Sequence, residues 1–139
     1  MTLPVPPSRE SFLSTARGAF AFLGTFGFVE VSPPTSHAGT EFELWYRVGT
    51  RFAIVEGDGR GTGATVLLAT VDRRGTSYHR YVPAAERSLA KWNNDQLAIV
   101  RAIADKVATH AQDFLSGALS DYEKLAQALP PYRRLPSDA

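Results

Sequence analysis

The sequence predicts an α+β fold: an N-terminal helix, an antiparallel sheet of about four strands, and one or two long C-terminal helices. Three observations carry that reading. Apolar residues recur at steps of three and four near the N-terminus, alternate with a period of two through the middle, and return to helical spacing in the last third. The connections between the central runs are too short to hold a crossover helix, so the strands should be antiparallel neighbours.

Phe12, Ala16, Ala19, Phe20 and Leu23 place one apolar face on a helix from about Arg9 to Gly24, with Ser8 positioned to cap its free amides. Gly24 or Gly27 can adopt the left-handed conformation that ends such a helix. Phe28, Val29 and Val31 then read as a short strand, halted by the "SPP" that follows. The stretch "FLGTFGFVEV" is thus a corner between a helix and the sheet it lies on.

"TEFELWYRV" alternates, with Phe42, Leu44, Tyr46 and Val48 on one face and Glu41, Glu43, Trp45 and Arg47 on the other. It predicts a half-buried strand with an outward Trp45. After the tight turn "VGTR", "RFAIVEG" gives the next strand, with Phe52 and Ile54 continuing the buried face. In "ATVLLATVD", Val66 and Leu68 face one way, Leu67, Ala69 and Val71 the other. Asn94 or Asp95 can cap a helix that carries Leu97, Val100, Ala104, Val107, Ala111, Phe114 and Ala118 on one stripe, widened by Ile99, Ile103 and Leu115. A break at Gly117 would leave "ALSDYEKLAQAL" as a shorter final helix.

At 139 residues, with 44% hydrophobic content, the chain suits a single domain over 1–139 with loose ends at about 1–7 and 131–139. There is no cysteine, which excludes disulfides, thiol nucleophiles and Cys-based metal sites. The N-terminus lacks the basic and apolar regions of a secretory signal, and no apolar run is long enough to span a bilayer, so the cytoplasm is the expected compartment. A formal charge of +1 is far from the balance of a dedicated nucleic-acid binder.

"GDGRGTG" spaces Gly57, Gly59, Gly61 and Gly63 at every second residue, which matches neither phosphate-loop pattern, and a strand follows instead of a helix. It reads as a hairpin loop whose Asp58 and Arg60 can touch a partner. His37, His79 and His110 have no metal-ligand spacing, and no metal or cofactor is expected. Glu30, Glu41, Glu43, Glu56 and Asp58 lie in or beside strands without the apolar pocket that would tune paired carboxylates for acid and base roles. The aromatics and arginines of "ELWYRV" have the composition of an interaction surface, and the glutamates beside them favour a protein over a nucleic acid. The candidate partner-binding set is Glu41, Glu43, Trp45, Arg47, Asp58 and Arg60, with no catalytic residue.

The order of these signals resembles small bacterial domains grouped with the immunity proteins of polymorphic toxin systems. Phe22, Leu23, Gly27 and Phe28 match a pattern F-L-x-x-x-G-F, and Leu115, Gly117, Tyr122 and Leu125 match a late L-x-G-D stretch followed by an aromatic and a Leu, with Ala118 where the Asp would stand. The resemblance implies a cytoplasmic, non-enzymatic protein that binds and blocks a cognate toxin without a cofactor. Two alternatives come from other classes. One is a small hydrolase or small-ligand-binding enzyme with a deep cleft; the other is a nucleic-acid-binding domain with a continuous arginine patch around Arg47, Arg51 and Arg60.

Overall fold

The computed structural model describes residues 8–33, 42–57, 63–70, 75–77 and 96–128. Among them the chain forms α1 (Arg9–Ala19), a 3-10 helix (Ala21–Phe26), β1 (Val29–Val31), β2 (Glu43–Val48), β3 (Arg51–Gly57), β4 (Ala64–Thr70), β5 (Gly75–Ser77), α2 (Gln96–His110), α3 (Gln112–Ser116) and α4 (Ser120–Ala128). This is the α+β arrangement read from the sequence, with an antiparallel sheet between an N-terminal helix and C-terminal helices.

Ser8 caps α1 as anticipated: its backbone is extended and its hydroxyl accepts the Ser11 N–H at 3.1 Å. Phe12, Leu13, Ala16 and Phe20 bury the inner stripe. The α-helix stops at Ala19, and the next residues tighten into the 3-10 helix. Gly27 closes it at φ 88°, where the Phe28 N–H turns back to the Leu23 carbonyl at 3.1 Å. Gly27, rather than Gly24, therefore supplies the left-handed residue, and it delivers Phe28 directly to the core.

The five strands pair in sequence order, each antiparallel to the next. β5 adds a fifth strand that Gly75, Thr76 and Ser77 do not announce by apolar alternation. Leu44, Tyr46, Ala53, Val55, Val66 and Leu68 form one face, packed with the inner residues of α1, α2 and α3 and with Tyr122 of α4 in the main core. α1 and α2 lie side by side over this face.

The other face carries a second buried cluster of Trp45, Phe52, Ile54, Leu67 and Ala69. The placement of Phe52 and Ile54 corrects the expectation that they continue the Leu44 face. The two-residue turn at Gly49 and Thr50 sets Val48 opposite Arg51, so Phe52 falls opposite Arg47 and Ile54 opposite Trp45. Cross-strand partners share a face, and a one-residue difference in register moves every side chain to the other side.

Among the described residues, Arg51 and Gln96 make polar contacts that tie the layers together. Arg51 at the start of β3 donates to the carbonyls of Phe114 at 2.5 Å and Leu115 at 2.7 Å, and its guanidinium stacks on the Phe28 ring at 5.4 Å. A cation is favoured at those C-terminal carbonyls of α3. At the opposite end of the sheet, the fully buried Gln96 opens α2 and donates from Nε2 to the Gly63 carbonyl at 2.8 Å.

Candidate functional site

Three of the six residues singled out from sequence, Glu43, Trp45 and Arg47, lie within the described residues; Glu41, Asp58 and Arg60 lie outside them, as do His37, His79, most of the "GDGRGTG" loop and both chain ends. Strand alternation puts Glu43, Trp45 and Arg47 on the face away from the helices. That face is not open at Trp45.

Trp45 is 1% exposed, which corrects its reading as an outward aromatic anchor. Its ring meets Phe52 edge-on, with centroids 5.9 Å apart, and its indole N–H donates to Glu43 Oε1 at 3.3 Å. Alternation fixes which face a side chain takes and says nothing about how much apolar surface its neighbours bring to that face. Here Phe52, Ile54, Leu67 and Ala69 bring enough to make a second packing layer.

Arg47 and Arg51 do not form one patch. Because Val48 faces Arg51 and Arg47 faces Phe52, the two guanidiniums leave the hairpin on opposite sides. Arg47 donates from Nε to the Gly49 carbonyl at 2.8 Å and stacks on Phe52 at 5.0 Å, while Arg51 is held by the α3 carbonyls.

Glu43 belongs to a different grouping. Strand β1 forms one end of the sheet, and beside it a groove of about 350 Å³ is lined by Arg9, Arg17, Glu30, Ser32, Glu43 and Trp45, among others. Arg17 of α1 donates to both carboxylate oxygens of Glu30, from Nε at 2.9 Å and from Nη2 at 3.0 Å. Those hydrogen bonds hold the Glu30 carboxyl below its usual range. Both side chains are largely solvent-exposed, so the pair contributes at most about 1 kcal/mol, and its main effect is to fix the angle between α1 and the sheet edge. On the outer face of β1, opposite Arg47, Val29 is 61% exposed, the large apolar side chain that stands out to solvent among the described residues.

Across from Glu30 on β2, burial pushes the Tyr46 phenol up to about 12, with the Glu30 charge acting in the same direction and Arg17 against it. A phenol held above its ordinary 10.0 contributes stability that is complete below pH 10 and is lost as pH rises toward 12, because the unfolded chain releases the proton first. Unfolding free energy measured across pH 9 to 12 should fall accordingly, and Tyr46→Phe should remove that part of the fall.

Glu43 also faces Glu56 directly across β2 and β3, with Thr65 next in the row on β4. Arg9, Arg17 and Glu30 were not singled out as a group by the sequence, since Arg17 and Glu30 are joined only by the turn between them. The described residues hold no cluster of three or more His, Asp or Glu side chains arranged to bind a metal ion. None of their helices is long and apolar enough to cross a membrane. Comparison with known proteins finds no family model, no curated protein and no solved structure that matches this chain.

Proposed function

We propose that this chain is a non-enzymatic protein-binding module of the immunity type, acting in the cytoplasm, and that it meets its toxin partner along the β1 side of the sheet. The observation that carries this is Val29, exposed on the outer face of the end strand, with a groove lined by Arg9, Arg17, Glu30 and Glu43 at the same edge of the sheet. An exposed apolar side chain and charges of both signs along one sheet edge suit a protein interface. Glu43 and Arg47 remain contact residues in this reading, Glu41, Asp58 and Arg60 extend it on sequence grounds, and Trp45, on the same face, is packed beneath them.

The fate of the two arginines favours a protein partner over nucleic acid. Arg47 and Arg51 diverge and are engaged by carbonyls and aromatic rings, so they do not form the continuous cationic track that a phosphate backbone requires. The immunity assignment itself comes from the resemblance carried by Phe22, Leu23, Gly27 and Phe28 and by the stretch around Gly117 and Tyr122.

The test is a titration of the purified chain into an activity assay of the polypeptide encoded by the neighbouring reading frame. Inhibition should saturate at a fixed molar ratio and show no turnover by the chain alone. Protection by trace amounts, with product accumulating over time, would reject binding as the mode of action and support an enzyme.

A further inference from the structure

We propose that α4 is a strap that opens from the rest of the protein as a unit, hinged at residues 117–119 and latched by the carboxylate of Asp113. The link between α3 and α4 passes through the left-handed region twice, at Gly117 with φ 93° and at Leu119 with φ 58°. Glycine adopts that conformation freely, whereas for leucine it is strained, and such strain persists only where surrounding contacts enforce it. The enforcing contacts converge on Asp113. Its backbone carbonyl accepts the N–H groups of Gly117, Ala118 and Leu119 at 3.0, 2.8 and 3.2 Å. Its side-chain Oδ2 accepts the N–H groups of Asp121 and Tyr122 at 2.7 and 3.1 Å.

The first turn of α4 is therefore capped from a different helix, eight residues upstream, because the residue that precedes α4, Leu119, has no side-chain acceptor to offer. The apolar hold on α4 is narrow. Tyr122 is its one buried residue, seated against Phe114 with ring centroids 5.0 Å apart, and Leu125 and Ala126 are partly covered. The helix lies against α3 and β5, so its release would uncover Phe114 and the β5 side of the sheet. A short helix with one deep anchor, one remote cap and a strained hinge belongs to the low-stability end of local opening.

Hydrogen exchange of the full chain, read by mass spectrometry, tests the latch. In the native protein the amides of residues 120–128 should exchange at least about tenfold faster than those of α2, after correction for intrinsic rates. Asp113→Ala should accelerate α4 about tenfold further, the scale of a lost helix cap, and leave α2 unchanged. Asp113→Asn keeps an oxygen acceptor and should stay close to the native rate. Equal rates for α4 and α2 in the native protein, joint acceleration of both in Asp113→Ala, or an Asn variant that behaves like the Ala variant would each overturn the proposal.

Discussion

Replacing Trp45 with alanine is expected to destabilise the fold by about 3–5 kcal/mol, the range for deleting a fully buried large aromatic. The residue is 1% exposed, touches Phe52 edge-on and shares its cluster with Ile54, Leu67 and Ala69 from two neighbouring strands. Alanine would leave a cavity at the centre of three strands, where β-sheet hydrogen bonding prevents the backbone from collapsing into the gap. It would also remove the indole N–H donated to Glu43 and leave that carboxylate beside Glu56 without it. Urea unfolding measures the effect. A loss below about 1 kcal/mol would mean that this face is open, and would return Trp45 to the role of a surface anchor.

Gly57→Ala should cost about 1–3 kcal/mol, for the opposite reason. Gly57 is the last residue of β3, and a Cβ built there would lie 2.6 Å from Gln96 Nε2 and 2.7 Å from Phe12 Cε2. Neither neighbour can easily retreat. Phe12 is fully buried and packs edge-on against Phe42 at 5.6 Å, and Gln96 is fully buried and bonded to the Gly63 carbonyl. The added methyl must either displace the first turn of α2 or push α1 from the sheet, and overpacking of this kind costs on the order of 1–3 kcal/mol. A melting temperature equal to that of the native protein would show that the two helices do not close on β3 at this point. The glycine is required by close approach of side chains, since the loop it opens matches no phosphate-binding pattern.

The helical parts of the fold were legible because their signals are local. Ser8 as a cap, the Phe12 to Leu23 stripe and Gly27 as a stop are each decided within a few residues by backbone geometry and period. The stripe from Val100 to Phe114 was legible too, although its helix breaks at Ala111 into α2 and α3 and Ala118, beyond Gly117, is exposed in the turn; the Asn94 or Asp95 cap lies outside the described residues. Strand β2 was readable in direction, since Glu43 and Arg47 flank it, but Leu44-Trp45-Tyr46 is itself an unbroken buried run, and alternation alone did not show that Trp45 is covered. Strands β3 and β4 were less so. Ala53-Ile54-Val55 and Val66-Leu67-Leu68-Ala69 are unbroken apolar runs, the mark of a strand buried on both faces, and in such a run alternation does not say which residue belongs to which core. Read that way, the two runs announce a second buried face and with it the burial of Trp45.

The groove at β1 was not legible for a different reason. Arg17 and Glu30 are 13 positions apart, and their bidentate pairing depends on the angle that the 3-10 helix and Gly27 set between α1 and β1. Short-range patterns carry no information about that angle. The same holds for Arg51, whose partners Phe114 and Leu115 lie more than 60 residues away and reach it only once the C-terminal helices have packed.

The central claim is that the protein works by binding through the exposed side of β1. Val29→Asp tests it most directly. The side chain is 61% exposed and the new carboxylate would face Arg47, so unfolding stability should change by less than about 1 kcal/mol. Calorimetric affinity for the polypeptide encoded by the neighbouring reading frame should fall by about tenfold or more, as expected when a charge replaces an apolar interface contact. An affinity unchanged by Val29→Asp, in a variant that folds as stably as the native chain, would contradict the account.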